Sequence, residues 1–188
     1  MKNRLVLSSA ILLFLLLSFT SLSWAEVKFS AGGFGGINFP LVQEDSDIAG
    51  VAGFKARATV MPFLGLEPNF TYIRQGGITL DVSGTDMDRE GGNIYAYGMD
   101  LVFGSLDKVE KFYWYFICGL YGNSLDRLGR EDLNKFGFNL GVGLEILPEE
   151  TFGIDFRTKV QIITIEGGSR KNIQLTGGVN YYFGGFGF

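Results

Sequence analysis

The sequence predicts an all-β protein, an eight-stranded antiparallel up-and-down barrel that spans a membrane. Eight segments of about ten residues alternate apolar and polar side chains, as strands with one apolar face do, and this length suits a tilted membrane-crossing strand. The polar positions are rich in glycine and carry both signs of charge, which suits a narrow interior filled by side chains. After residue 25 no apolar stretch is long enough for a spanning helix, so the chain must cross with strands.

Residues 1–25 have the pattern of an export signal. A positively charged start precedes the apolar run 5–19, and Ser23-Trp24-Ala25 supplies small residues around a cleavage site. The run has about fifteen residues, fewer than the roughly 20 of a spanning helix. We expect cleavage before Glu26, which leaves one barrel domain at residues 26–188.

Charge and residue types exclude several function classes. Loss of Lys2 and Arg4 leaves 14 basic against 20 acidic residues, a net charge of −6, which argues against a nucleic-acid partner. The single Cys118 cannot form an internal disulfide. The chain has no histidine, the residue on which general acid–base and nucleophilic chemistry near neutral pH most often depends. We therefore predict a non-enzyme without catalytic, cofactor-binding or metal residues.

The first two strands are predicted at residues 27–37 and 51–61. In the first, Phe29 and Ile37 lie on the apolar face and Lys28 and Ser30 on the polar face. The second sets Phe54 and four alanine or valine positions against polar neighbours. Its predicted interior residues are Lys55, Arg57 and Thr59. An acidic loop, residues 40–50, joins these strands, and Pro62 ends the second one.

The third strand begins at Leu64 and the fourth covers residues 95–103. Glu67, Asn69 and Thr71 are predicted to face the interior from the third, and Asp100 does so from the fourth. The alternation of the third strand resumes after Gly76-Gly77 at residues 78–82. We therefore expect this strand to continue beyond the membrane, towards an acidic tip at residues 84–92.

The fifth strand, residues 112–123, is apolar on both faces, so alternation alone does not decide its facing. We place Tyr113, Tyr115 and Tyr121 inside, where their hydroxyl groups can find partners, and Trp114 and Cys118 outside. A charged loop, residues 124–135, follows.

The last three strands, 136–146, 152–162 and 173–183, alternate most clearly. Phenylalanine, leucine, isoleucine and valine dominate one face of each, and glycine, amides and charges the other. The predicted interior residues are Asn139, Glu145, Asp155, Arg157, Lys159, Gln161, Asn172, Gln174, Thr176, Asn180 and Tyr182. With these strands the count is even, and both chain ends fall on the side of the short turns, as bacterial barrels require.

Aromatic residues gather at strand ends, where two girdles meet the membrane interfaces. The predicted inner girdle is Phe29, Phe63, Phe103, Phe112, Phe152 and Phe183. The predicted outer girdle is Phe39, Tyr72, Tyr95, Tyr121 and Phe136.

Nine charged residues are predicted to face the interior, five basic and four acidic. They are Lys28, Lys55, Arg57, Glu67, Asp100, Glu145, Asp155, Arg157 and Lys159. Isolated buried charge is costly, so a nearly neutral set predicts ion pairs that fill the barrel. The same charges would alternatively line a narrow or gated channel.

A second cluster of charged residues lies near the acidic tip and consists of Asp81, Asp86, Asp88 and Glu90. These side chains could bind Ca²⁺ or bridge Mg²⁺ to lipopolysaccharide, but their spacing does not match a twelve-residue calcium loop. A solvated acidic tip explains the cluster.

The final strand carries a short motif in Thr176, Gly178, Tyr181 and Phe183. It resembles the terminal recognition signal of bacterial outer-membrane barrels, although it stops five residues before Phe188. The eight-strand pattern is similar to the small OmpA/OmpX-type barrels. This resemblance implies an outer-membrane location, contact with outer-membrane lipid and lipopolysaccharide, and insertion by the barrel assembly machinery through the C-terminal strand.

The sequence leaves three functions open. We favour a surface-interaction or envelope-integrity role through the extracellular loops, with an extracellular ligand at the second and third loops. The first alternative is a narrow channel for small or apolar solutes, similar to OmpW-type barrels. The second is a secreted, soluble, lipocalin-like binding barrel, whose apolar faces would point inward.

Overall fold

The computed structural model describes residues 27–41, 48–74, 78–82, 85–89, 92–106, 111–127, 133–165 and 168–183, and these form ten β-strands. The strands are β1 (Lys28–Pro40), β2 (Ala49–Met61), β3 (Leu64–Arg74), β4 (Ile78–Val82), β5 (Thr85–Arg89), β6 (Gly92–Gly104), β7 (Phe112–Arg127), β8 (Leu133–Glu149), β9 (Phe152–Ile165) and β10 (Gly168–Phe183). Within the described ranges, no helix has the length and hydropathy to cross a membrane.

Eight of the strands close into an antiparallel barrel, in the order β1-β10-β9-β8-β7-β6-β3-β2. The first and last strands pair from Phe29 opposite Phe183 to Pro40 opposite Asn172 and so complete the ring. The sequence-based prediction of an eight-stranded, all-β, antiparallel barrel is confirmed. The observed strands extend beyond the predicted segments because several residues assigned to loops continue the ladders.

The apolar faces point outward and the polar faces inward, as predicted. Phe54, Phe116 and Trp114 are 71%, 66% and 64% exposed on the outer wall, whereas Arg57 and Glu145 are buried inside. On β7 the three predicted tyrosines lie inside and are at most 4% exposed. The soluble lipocalin-like alternative required the opposite facing and is therefore wrong.

The predicted extension of the third strand, residues 78–82, is a strand of its own, β4. β3 ends at Arg74, and β4 pairs with β5 in a separate two-stranded sheet that is not part of the barrel. Inside the barrel wall, Arg74 on β3 pairs with Asn93 on β6. Strand β6 therefore takes the position next to β3 and leaves the hairpin outside the barrel sheet.

The outer girdle also needs one correction. Tyr121 is 2% exposed and faces the interior, where its hydroxyl donates a hydrogen bond to Asp100. A buried hydroxyl with a carboxylate partner is more stable there than in lipid. Tyr121 is therefore an interior residue, as the need of its hydroxyl group for a partner also predicted.

Several predictions concern residues outside the described ranges. The signal segment 1–25, part of each charged loop (42–47 and 128–132) and the tail 184–188 lie there, as does Glu90 of the acidic cluster. The other three acidic residues of that cluster lie on β4 and β5. The signal peptide therefore stays a prediction, and so does the interpretation of the acidic cluster as a solvated tip.

Candidate functional site: the charged interior of the barrel

Two arginines and two glutamates form the centre of the interior network. Arg57 on β2 donates to Glu67 Oε2 through Nε at 2.9 Å and to Glu145 Oε2 through Nη1 at 3.0 Å. Arg157 on β9 binds both carboxylate oxygens of Glu67, with Nη2 to Oε2 at 2.9 Å. Glu67 is fully buried and accepts from both guanidinium groups, so one carboxylate joins opposite sides of the barrel.

Asp155 extends this network along β9. Its carboxylate accepts from Arg157 Nε at 2.9 Å and pairs with Lys55 Nζ at 2.8 Å. Tyr115 donates its hydroxyl to Asp155 Oδ2 at 2.6 Å. The ring of Tyr115 lies 5.1 Å from the Arg57 guanidinium carbon and 5.4 Å from that of Arg157, within cation–π range. One tyrosine therefore fixes an acid through its hydroxyl and two bases through its ring.

Glu145 on β8 is satisfied by hydroxyl and amide groups as well as by Arg57. Tyr113 donates to Glu145 Oε2 at 2.7 Å, Tyr182 donates to Oε1, and Asn180 Nδ2 lies 2.6 Å from Oε1. The buried carboxylate thus has a partner for each oxygen, as a stable buried ion requires.

A second, smaller group surrounds Asp100 on β6. Asp100 Oδ2 accepts from Tyr121 at 2.8 Å and from Asn69 Nδ2 at 3.0 Å, and Lys159 Nζ lies 3.5 Å away. Three further amides form a chain of hydrogen bonds of their own. Gln174 donates to Gln161 at 2.9 Å, and Gln161 donates to Asn123 at 3.0 Å.

The buried charges of the described chain balance. Four basic residues, Lys55, Arg57, Arg157 and Lys159, face four acidic residues, Glu67, Asp100, Glu145 and Asp155. Lys28, the ninth residue of the predicted set, is only partly buried at the start of β1. Eight of the nine predicted charges therefore share one neutral interior.

Apolar side chains form a layer at each end of this polar interior. At the end with the chain termini, Leu106 follows β6 and Leu147 lies near the end of β8. Both belong to a cluster with Val102, Ile117 and three of the interior tyrosines. Both leucines are fixed by backbone bonds, from Leu106 N to Pro62 O and from Leu147 N to Lys111 O, each 2.8 Å. These side chains cover the charged network at that end.

The opposite apolar layer lies near the long loops. It consists of Ala49, Val51, Ile73, Ile94 and Ile163, with Phe34 packed against it. Phe34 lies in register between Gly53 and Gly178, and a Cβ on Gly53 would come within 2.5 Å of its ring. Two glycines therefore make room for an aromatic ring inside the barrel.

The sequence analysis predicted that the charged residues lie together in the interior, but it did not predict these apolar layers. Ala49, Val51, Ile73, Ile94 and Ile163 all occupy interior positions of the alternation, beyond or at the ends of the predicted strands. Their positions in the alternation of each strand were the available signal. The signal was missed because the interior was assumed to be polar throughout. For Phe34, the glycines opposite were the signal, but they can be matched to it only once the register is known.

The charged side chains of the interior are buried and paired, not exposed where they could react with a substrate. Nowhere in the described ranges are three or more histidine, cysteine or acidic side chains grouped as a metal ion requires. The acids and bases pair with one another and lie between two apolar layers. This geometry suits a structural core that locks the barrel wall from within.

Comparison with known proteins identifies the fold but finds no family or curated relative. No protein-family model matches the sequence, and no curated protein matches it. Among solved structures, Neisserial surface protein A is similar with a TM-score of 0.64 and 15% identity, over 82% of this chain and 97% of that one.

Two barrels from Pseudomonas aeruginosa are also similar. The N-terminal domain of OprF matches with a TM-score of 0.55 and 15% identity, over 83% of this chain and 97% of that one. The outer membrane protein OprG matches with a TM-score of 0.55 and 11% identity, over 84% and 95%. The resemblance to small eight-stranded outer-membrane barrels is thus confirmed as a shared fold.

Proposed function

We propose that this chain is a non-enzymatic outer-membrane protein that anchors a surface-exposed interaction element. The observation that carries the proposal is the division between a filled barrel and a separate hairpin. The barrel interior is occupied by a neutral ion-pair network under two apolar layers. Since paired charges and apolar side chains fill the described interior, we expect the extracellular parts to be the ones that meet other molecules.

The β4–β5 hairpin is the best candidate for that contact. It lies between the end of β3 at Arg74 and the start of β6 at Gly92, opposite the chain termini. Among the described strands, β4 pairs only with β5, so each has an edge without a strand neighbour. Such edges can take up an extended segment of a partner by β-augmentation.

The fold and the facing support the rest of the proposal. Large apolar side chains cover the outer wall, as a bilayer requires, and the similar solved structures include a protein named as a surface protein. We therefore place the mature chain, residues 26–188, in a bacterial outer membrane, in contact with lipid and lipopolysaccharide. The barrel assembly machinery would insert it through β10. An envelope-integrity role follows from the same anchor if the partner belongs to the cell's own envelope.

A hairpin exchange tests the interaction role. Residues 75–92 are replaced by a two-residue Asn-Gly turn, which keeps the pairing of Arg74 with Asn93 and therefore the barrel register. The matched control replaces the first-loop residues 42–47 with a Gly-Ser linker of equal length. We expect attachment of expressing bacteria to host cells or to neighbouring bacteria to be lost only with the hairpin.

Heat-modifiable gel mobility must show that both variants keep a folded barrel. Equal attachment by the hairpin variant and the intact chain would refute the interaction role. A loss of envelope resistance to detergent without any loss of attachment would instead select the envelope-integrity role.

A further inference from the structure

A cleft of about 750 Å³ opens on the outer wall of the barrel, where β2, β3 and β6 meet. Its lipid-facing lining is Phe54, Ala56, Pro68, Phe70, Tyr97, Met99 and Leu120. Residues whose side chains face the interior, Lys55 and Asn69, line it as well. The cleft therefore reaches the backbone of the barrel wall and is not only a gap between lipid-facing side chains.

Pro68 explains why the wall is open there. The β2–β3 register pairs Lys55 with Asn69 and resumes with Ala58 opposite Leu66, but the positions between them do not pair. By continuity, Ala56 faces Pro68. On its other side Pro68 remains paired with Met99 of β6. Proline has no backbone N–H, so the ladder fails on the side to which that group would point.

The direction of the neighbouring carbonyls shows which group loses its partner. A Cβ on Gly53 would meet the Phe70 carbonyl oxygen, so even-numbered carbonyls of β3 point to β2. The carbonyls of Val51 and Gly53 lie beside glycines of β1, so even-numbered carbonyls of β2 point to β3. The Ala56 carbonyl therefore points at Pro68, which cannot donate to it.

A backbone acceptor without a donor is expensive at this depth. The hydrocarbon core contains no water to satisfy it, and each unsatisfied group costs several kcal/mol. The cleft gives a ligand access to this carbonyl from the lipid side. The buried charges behind it already balance, four against four, so the site has no excess charge to neutralise.

From this geometry we propose that the cleft binds a neutral amphipathic lipid whose hydroxyl donates to the Ala56 carbonyl. Its hydrocarbon chain packs on Phe54, Phe70 and Leu120. The ligand class is a long-chain alcohol or a neutral acylglycerol drawn from the membrane, because this wall faces lipid. An anionic headgroup fits less well, since it would add a negative charge beside a neutral interior.

Photolabelling in detergent micelles tests the site. The probe is a long-chain alcohol that carries a diazirine next to its hydroxyl end, and the matched probes are the same chain as an alkane and as a carboxylic acid. We expect the alcohol to label peptides of β2 and β3 about fivefold more than the alkane, the factor that one net hydrogen bond contributes. Equal labelling by the alcohol and the alkane, or stronger labelling by the acid, would overturn the proposal.

Two variants and a control locate the effect. Ala56→Phe fills the cleft and should remove the alcohol preference, whereas Ala52→Phe, on the same strand and face but outside the cleft, should leave it unchanged. Pro68→Val supplies the missing N–H and should also abolish the preference. An effect of Ala52→Phe equal to that of Ala56→Phe, or an unaltered preference in Pro68→Val, would refute the site. Folding of each variant is checked by heat-modifiable mobility.

Discussion

Glu67 is the residue on which the interior network most depends. It lies on β3 and accepts hydrogen bonds from Arg57 on β2 and Arg157 on β9, so it joins strands that are not neighbours in the wall. A buried ion pair adds little stability over an apolar pair of the same size. Loss of one partner is costly, however, because it leaves the other charge buried and unpaired.

Glu67→Gln should therefore destabilise the barrel strongly. The substitution keeps the side-chain shape but leaves two buried guanidinium groups with one acid fewer, and we expect a loss of about 3–5 kcal/mol in unfolding free energy. Urea unfolding in detergent micelles, followed by tryptophan fluorescence, measures it. Glu149→Gln removes an exposed acid at the end of β8 and serves as the control, with no measurable change expected. Similar stabilities for the two variants would contradict a network role.

Two glycines of the barrel wall should respond differently to the same substitution. A Cβ on Gly143 would run into the ring of Tyr115, which holds Asp155. At Gly177, on the lipid-facing side, the nearest atom would be 3.7 Å away, an ordinary contact. We expect Gly143→Ala to cost about 1–3 kcal/mol by overpacking, and Gly177→Ala to cost clearly less. The same urea titration compares them, and a larger loss at Gly177 would show that the interior tolerates displacement of Tyr115.

At the scale of the strands, alternation predicted almost the whole barrel. A one-residue slip would turn every side chain to the wrong face, so facing is strongly specified wherever charges and aromatics alternate. β7 has apolar residues on both faces, and there the tyrosine hydroxyls decided correctly because their carboxylate partners lie inside. The facing of β7 was thus predicted from the hydrogen-bonding needs of single side chains, because this strand has no clear alternation.

The partners inside the barrel could not be predicted in the same way. Arg157 and Glu67 are 90 residues apart, and their contact depends on how the strands are staggered when the sheet closes. Parity identifies the interior face of a strand but not the height of a residue in the barrel. Alternation predicted a strand at residues 78–82 but not that it pairs in a sheet separate from the barrel, because a hairpin outside the barrel alternates just as a barrel strand does.

The terminal strand gives a prediction about assembly. Phe183 is exposed on the outer wall, lies opposite Phe29 across the closing seam and packs edge-on against Tyr181 at 5.2 Å. If the assembly machinery recognises this strand, Phe183→Ala should lower the amount of folded protein in outer-membrane fractions. Refolding of the purified variant into detergent should remain normal, because few interior contacts change. Phe112→Ala is a matched control on the same girdle, and an equal drop for both variants would argue against terminal recognition.

At the scale of the whole molecule, the layers of the interior determine what the barrel can do. A charged and hydrogen-bonded centre lies between two apolar layers, and every layer is built from side chains of several strands. Eight-stranded barrels leave an interior only wide enough for such side chains. The wall and its contents therefore form one rigid unit, a suitable support for an element outside the membrane.

The closed anchor and the channel alternative make opposite predictions for conductance in planar bilayers. An ion entering the barrel would have to displace apolar layers at both ends and break paired charges between them, so we expect the inserted protein to show no stable conductance steps. Insertion is verified by flotation of proteoliposomes and by heat-modifiable mobility. A sixteen-stranded porin, which encloses an aqueous channel, provides the positive control under the same conditions. Uniform, reproducible steps from the folded chain would mean that the interior layers open, and the role of the barrel as a closed anchor would have to be abandoned.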